Sequence, residues 1–394
     1  MRYNIYIYCI EMGSFMIKFA NVTKKFKSKE VLHGINLEIP EGKLISIIGS
    51  SGCGKTTMLK MINRLVPLTS GVISINGRNI LDTPPVELRK QIGYVIQQTG
   101  LFPHLTIAEN IALPMLLHKW SKEAIAARTK ELLDMVGLPS DMLNRFPPEL
   151  SGGQQQRIGV ARAFSTNPDI ILMDEPFSAL DPITRNNLQE ELNDLQKELR
   201  KTIVFVTHDM DEAIKISDTI CLMRNGAIEQ LATPEQLLKN PANDFVETFI
   251  GKNRIWSSPE FIKAKDIMIE NIPTCGPKTG LLSCLEKIRS EVLDYILVRN
   301  RLTNEFLGVL TSGMLQDLPS YEGVASDIMR QPVITLSEQD SLVEILQKIN
   351  EHNRPYLIVL DANKVATGII TRKSLIAILG KQYLSDDSDE GMVI

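Results

Sequence analysis

From residue 16 onward the chain alternates two hydrophobic rhythms. Runs such as KLISIIG (43–49), DIILMDE (169–175) and TIVFVTH (202–208) are almost continuously apolar, the pattern of strands buried on both faces of a parallel sheet. Between such runs, apolar residues recur every three or four positions. SKEAIAARTKELLDMVGL (121–138) is the clearest case and predicts an amphipathic helix ending at Gly137. Alternation of this kind, from Met16 to about Gly251, predicts an α/β domain on a parallel sheet over residues 16–252. Residues from about 101 to 156 interrupt it. They are helical in pattern and punctuated by prolines, which predicts a helical subdomain inserted into the α/β domain.

A second organisation follows. KAKDIM at 263–268 matches VASDIM at 324–329, a period of 61 residues. Each copy continues through a helical stretch (LLSCLEKIRS; SLVEILQKIN), a strand (YILVRN; YLIVLD) and a Gly-hydrophobic pair leading to Thr (GVLT; GIIT). Self-similarity at a fixed period predicts two small αβ modules that bury their faces against each other. We place them at 263–319 and 322–380, after a linker at 253–262. The tail, 381–394, carries four acids in five residues and reads as a disordered anionic end. Residues 1–15 lack a small-residue cleavage site, so a signal peptide is not expected, and they read as an upstream extension.

Composition sets bounds without choosing a function. With 394 residues, two or three domains are expected. The net charge of −4 supplies no field for nucleic acid or anionic lipid. No apolar run approaches the roughly 20 residues that a membrane-spanning helix needs, so the chain is not expected to form a pore. Five cysteines, at 9, 53, 221, 275 and 284, show no CxxC or Cys/His metal spacing. They are expected to be reduced thiols.

Candidate chemistry is concentrated in the α/β domain. GSSGCGKTT (49–57) fits the phosphate-loop pattern GxxxxGK[ST], follows a strand and precedes a helical stretch. Gly49, Ser50, Ser51, Gly52, Cys53 and Gly54 would turn backbone N–H groups onto phosphate oxygens. Lys55 would bridge the β- and γ-phosphates of ATP, Thr56 would ligate Mg²⁺, and Thr57 would contact the α-phosphate. The strand IILMD then delivers Asp174 as the carboxylate that holds Mg²⁺, directly or through water, with Glu175 as the base or orienter for the attacking water.

LSGGQQQR (150–157) is the most specific string, and it resembles the signature motif of ABC-type ATPases. Over residues 16–251 the other motifs fall in that family's order. The resemblance implies that Gln97 is the Q-loop residue linking the Mg²⁺ site to the helical subdomain, with Gln98 the weaker candidate. It implies that Ser178, Ala179, Leu180 and Asp181 form the D-loop, that His208 is the switch histidine and that Phe26 stacks on adenine. Ser151, Gly152, Gly153 and Gln154 would open a helix that binds the γ-phosphate of ATP held by a second copy. The active form would thus be a homodimer clasping two nucleotides across a two-fold interface.

MINRLVPLTSG, GYVIQQTGLFPHLTI, MDEPFSALDPITR and NPANDFVETFIG narrow the resemblance to the ATPase subunits of quaternary-amine importers, for glycine betaine, carnitine or choline. The repeat resembles a CBS-domain pair, which that family often carries. These resemblances imply permease subunits as partners, an extracytoplasmic solute-binding protein as an indirect one, no nucleic acid, and a place on the cytoplasmic face of the membrane. An amino-acid importer and a soluble ABC ATPase are the alternative functions. Both copies of the CBS string lack its ribose-binding Asp, with Met314 and Ser374 in its place, which argues against ordinary AMP or ATP binding. In osmolyte importers such pairs are associated with gating by cyclic di-AMP or ionic strength. Tyr356, Ile369, Thr371 and Arg372 are the candidate regulatory residues.

Overall fold

The computed structural model describes residues 15–376, except 98–99, 179, 252–253, 291–293, 332–333 and 353–354. The expectations for residues 1–14, Gln98, Ala179 and the acidic tail lie outside the described residues. The chain divides into two compact units, one ending at Ile250 and the other starting at Gly251.

Among the described residues the first unit is organised by ten strands: β1 (Phe15–Phe26), β2 (Lys29–Pro40), β3 (Leu44–Gly49), β4 (Ser70–Ile75), β5 (Arg78–Asn79), β6 (Ile92–Val95), β7 (Ile170–Asp174), β8 (Thr202–Val206), β9 (Thr219–Arg224) and β10 (Ala227–Ala232). Six of them form the central sheet, in the order β10-β9-β3-β8-β7-β6. All neighbours in it are parallel except the β10–β9 edge pair. Every residue of β3, β7 and β8 is buried, because this sheet is covered on both faces. Alternate residues serve different cores. Ile171, Met173, Ile203 and Phe205 face a core shared with the helical subdomain, while Ile170, Leu172, Val204 and Val206 face one shared with the antiparallel sheet β2-β1-β4-β5.

Helices Ile107–Leu117 and Lys122–Met135 form the helical subdomain with the helix Gly152–Ala163. The first opens on a reciprocal Thr106/Glu109 capping box and the second on Ser121, which satisfy first-turn N–H groups that would otherwise lack partners. Asn110 is fully buried, and its amide bonds the backbone of Phe102, Leu105 and Thr106. One side chain therefore fixes the loop that follows Gln97.

The second unit carries two three-stranded sheets: β11 (Thr274–Cys275), β12 (Tyr295–Arg299) and β13 (Phe306–Thr311), then β14 (Thr335–Ser337), β15 (Tyr356–Leu360) and β16 (Ala366–Thr371). The packing units differ from the sequence repeat. Ala264 and Ile267, from the first copy, join the core of β14–β16, whereas Ala325 joins the core of β11–β13. The exchange is symmetric. Ile269 bridges to Ile369 and Arg330 to Val309, Met268 lies against Gly368, and Met329 lies against Gly308. A Cβ at Gly368 would fall 2.5 Å from the Met268 sulfur, so the exchanged arm requires glycine there.

The expected linker at 253–262 also differs. Residues Arg254–Ser257 and Pro259–Phe261 form short 3-10 turns. Ile255 and Trp256 pack against the core of β14–β16, and Ile262 is buried in it. This segment is too apolar to remain solvated, and it covers the helix Leu342–His352, to which Ile262 is tied by a Leu342 N–H bond of 2.8 Å.

A candidate ATP site at the carboxyl end of the sheet

The phosphate loop connects β3 to the helix Lys55–Ile62. Gly49 adopts φ +148°, and a Cβ there would lie 2.2 Å from the Met223 carbonyl oxygen, so the loop can leave the sheet only through glycine. Gly54 precedes the helix at φ 107°, and no side chain caps it. The cap residue therefore takes up none of the first-turn N–H groups with a side chain, which suits phosphate binding at this helix start. Lys55 is buried, and its Nζ donates to the carbonyls of Gly49 (2.7 Å) and Ser50 (3.1 Å), which holds a cation inside the loop.

Thr56 Oγ1 donates to Asp174 Oδ1 at 2.8 Å, joining the loop to the end of β7. Asp174 is buried, and desolvation pushes its carboxyl above the usual carboxylate range. The Thr56 hydrogen bond and the Lys60 charge, 3.9 Å away, act in the other direction. A cation beside it would favour the ionised form. Hydroxyl and carboxylate oxygens are the donor set that Mg²⁺ prefers, so Thr56 and Asp174 fit that ion. Among the described residues no group of three or more His, Cys, Asp or Glu could hold a metal.

Glu175 turns the chain at φ 48°, a left-handed conformation that side-chain-bearing residues seldom adopt. Its carboxylate meets two polar groups. Gln97 Nε2 donates to Oε2 at 3.0 Å, and His208 Nδ1 lies 3.4 Å from the same oxygen. The structure thus brings Gln97, Glu175 and His208 together, and it puts the Gln97 amide on the carboxylate.

The signature residues begin the helix Gly152–Ala163 with a capping box. Ser151 Oγ accepts from Gln154 N (3.3 Å) and Gln154 Oε1 accepts from Ser151 N (3.0 Å). The N–H groups of Gly152 and Gly153 are not engaged by this box. A Cβ at Gly152 would meet nothing within 4 Å, whereas one at Gly153 would lie 2.9 Å from Leu180 Cδ2, so signature and D-loop pack together. Leu180 is buried, Ser178 Oγ donates to the Glu175 carbonyl at 3.1 Å, and Asp181 caps the helix Pro182–Leu199. The Thr184 amide holds the Asp181 carboxyl below its ordinary range.

Phe26 is 46% exposed, with the Lys24 ammonium 4.5 Å from its ring centroid. Ser50, Ser51 and Gly52 are exposed, and Thr57 is half-buried. Cys53 is buried, and burial pushes its thiol up, which makes it an inert filler of the loop.

One part of the site was not anticipated. Arg185 Nη2 donates to the Leu180 carbonyl at 3.0 Å, and its guanidinium lies 3.7 Å from both Asp209 and Glu212. Glu212 accepts the Thr207 hydroxyl at 2.6 Å, and the same hydroxyl accepts the Asp209 N–H at 3.0 Å. These residues line a cavity beside Glu175 and His208. The TRNN and THDMDE strings contain them, but nothing in either string announces the pairing.

In the second unit Tyr356 is half-buried, with its ring 5.0 Å from that of Tyr295, the equivalent residue of the other module. Arg372 is exposed. Thr371 is buried and exchanges hydrogen bonds with Ser374, Thr371 N to Ser374 Oγ at 2.9 Å and Ser374 N to Thr371 Oγ1 at 3.0 Å. Ile369 is fully buried in the seam between modules, so it packs that seam and does not line an open cleft.

The ABC transporter family model matches residues 32–178, and the CBS domain model matches 325–381. The glycine betaine/carnitine/choline transport ATP-binding protein OpuCA of Bacillus subtilis is 45% identical over 96% of this chain and all of its own length. The choline transport ATP-binding protein OpuBA of the same organism is 45% identical over 92% of this chain and 96% of its own. A solved dimeric structure of the ATP-binding cassette MJ0796 in a post-hydrolysis state with ADP and Pi shares 40% identity, with a TM-score of 0.52, over 56% of this chain and 99% of that one. With this site geometry and these likenesses, the chain belongs to the ATP-binding subunits of ABC transporters, in the group of the glycine betaine, carnitine and choline transport ATP-binding proteins.

Proposed function

We propose that the protein is the motor subunit of an importer for a quaternary-amine osmoprotectant such as glycine betaine, carnitine or choline. The observation that carries the catalytic half is the convergence of Gln97 and His208 on the Glu175 carboxylate, beside the Thr56–Asp174 pair. Lys55 and the N–H groups of the phosphate loop hold the triphosphate. Thr56 and Asp174 would hold Mg²⁺, which neutralises phosphate charge when bound. Glu175 accepts or orients the proton of the attacking water, and His208, whose Nδ1 lies 3.4 Å from that carboxylate, would contact the γ-phosphate.

The uncapped N–H groups of Gly152 and Gly153 serve the ATP of a second copy, giving a face-to-face homodimer. The likeness to MJ0796, described as dimeric, supports this reading. Among the described residues no helix is long and apolar enough to cross a membrane. Import therefore calls for separate permease subunits, with this chain on their cytoplasmic face and an extracytoplasmic binding protein delivering solute. The solute class rests on the relatives, whose printed names specify betaine, carnitine or choline.

We infer regulation through the CBS pair, by cyclic di-AMP or ionic strength, with Tyr356, Thr371 and Arg372 as the contact residues. Proteoliposomes containing this chain and its cognate permease test the whole reading. ATP-driven uptake of glycine betaine, carnitine or choline is expected, and uptake of none of them would overturn the solute assignment. A binding isotherm for cyclic di-AMP that stays flat to millimolar ligand would remove that regulator.

A further inference from the structure

The two αβ modules of the second unit are built alike, and one difference between them is chemical. Cys275 on β11 and Cys284 on the helix Leu281–Ser290 have their sulfurs 3.9 Å apart. The 61-residue repeat places Leu336 and Ile345 at the equivalent positions. Both are buried in the core of their own module, and β14 pairs with β15 in the register in which β11 pairs with β12. The fold therefore presses these two positions together in each module, and packing alone is met by two hydrocarbons. Thiols in the first module add reactivity that packing does not require.

Their surroundings differ in the same direction. In the second module Lys348 is neutralised by Asp340 at 2.6 Å. The first module has Lys287 at the lysine position and Thr279 at the aspartate position. Lys287 donates instead to the Thr274 carbonyl at 2.8 Å, next to Cys275. A cation near two hydrogen-bonded sulfurs favours one negative charge shared between them: their hydrogen bond holds the Cys284 thiol below its ordinary range and pushes the Cys275 thiol above it, so the resting charge sits on Cys284 and the shared proton on Cys275. Cys284 is fully buried whereas Cys275 is partly exposed, so a reagent from solution can reach one sulfur of the pair. Cys53 and Cys221 are both buried, so a reagent from solution reaches neither sulfur. They lack this reactivity.

We infer that Cys275 and Cys284 form a dithiol site that reacts with low-molecular-weight disulfides and closes to an intramolecular disulfide. Transfer of the Cys275 proton to the Cys284 sulfur 3.9 Å away leaves the accessible sulfur as the thiolate, which attacks one sulfur of R–S–S–R, forming a protein–S–S–R bond and expelling RS⁻. Cys284 then loses its proton and attacks the Cys275 sulfur, forming the Cys275–Cys284 bond and expelling the second RS⁻. Both protein thiols are oxidised by two electrons in total, and one small disulfide is reduced to two thiols. The product ties β11 to the helix behind it within the first module.

The test equilibrates the full chain with glutathione buffers of increasing oxidised fraction, quenches by alkylation and maps cysteines by mass spectrometry. The expected result is a linked Cys275–Cys284 peptide that has lost two hydrogens, with Cys53 and Cys221 recovered as alkylated thiols after unfolding. Cys284→Ser should stop at a mixed disulfide on Cys275. The double variant Cys275→Leu with Cys284→Ile, copied from the second module, should fold, keep the basal ATPase rate and take up no glutathione equivalents. Recovery of both thiols alkylated in fully oxidised buffer would overturn the inference. So would a wild-type chain that stops at the mixed disulfide.

Discussion

Gln97 and Glu175 meet directly, with the amide Nε2 donating to the carboxylate at 3.0 Å across 78 residues of sequence. The amide occupies an oxygen that would otherwise accept from water. A shift of the loop carrying Gln97 therefore changes what the Glu175 carboxylate can bind. Asn110 ties that loop to the helical subdomain, so motion of the subdomain and availability of the base are mechanically linked.

Glu175→Gln should keep ATP binding and lose turnover by about 10²- to 10⁴-fold, the usual contribution of a positioned general base. Single-turnover phosphate release alongside equilibrium nucleotide binding checks both halves. A variant hydrolysing within a factor of a few of wild type would remove Glu175 from its role.

Asp174→Asn carries a prediction with a sign in pH. Burial raises the Asp174 carboxyl in the folded state, so the folded chain holds that proton more tightly than the unfolded chain does. Ionising it near neutral pH costs stability, and the penalty disappears as pH falls through the folded value toward the ordinary carboxylate range. Thermal unfolding of the nucleotide-free chain should therefore show Asp174→Asn at least as stable as wild type at pH 8, with the gap closing on acidification. Mg²⁺-dependent ATPase activity should be lost throughout. A destabilised variant at pH 8 would contradict this.

The two halves of the site differ in how plainly the sequence announced them. The phosphate loop and β7 carry their chemistry on contiguous residues, because a strand, a tight turn and a helix start are all local events. Gly49 to Thr57 and Asp174–Glu175 could be read for that reason. Arg185 with Asp209 and Glu212 joins the start of one helix to the start of another, Met210–Ile216, more than twenty residues away, and each charge alone resembles an ordinary solvated one. The exchanged arms were hidden differently. KAKDIM and VASDIM disclose that two copies exist, but similarity cannot say which copy's arm packs on which sheet. Ile255, Trp256 and Ile262 were apolar enough to signal burial, yet their place before the first repeat suggested a linker.

The arm exchange is testable through Gly368. Gly368→Ala places a Cβ against Met268 and should destabilise the second unit by about 1–3 kcal/mol, the range for overpacking. In a Met268→Gly background, which removes the Sδ, Cγ and Cβ atoms that lie 2.5, 2.6 and 2.8 Å from that Cβ, most of that cost should vanish. A double-mutant cycle by urea unfolding reads the coupling, and additive effects would mean the two residues do not touch.

Phe26→Ala should weaken ATP binding by about 1–3 kcal/mol if its half-exposed ring stacks on adenine. GTP, which offers a different ring face, provides a comparison ligand. An unchanged ATP Kd would assign Phe26 to packing with Lys24.

Sedimentation of the full-length Glu175→Gln chain with saturating ATP and Mg²⁺ tests the central claim most directly. The account predicts a dimer holding two nucleotides, which reverts to monomers when Ser151→Ala is combined with Gly153→Val. A chain that binds ATP fully yet stays monomeric would contradict it, as would a monomer that keeps Glu175 and hydrolyses at the full wild-type rate with both signature residues replaced.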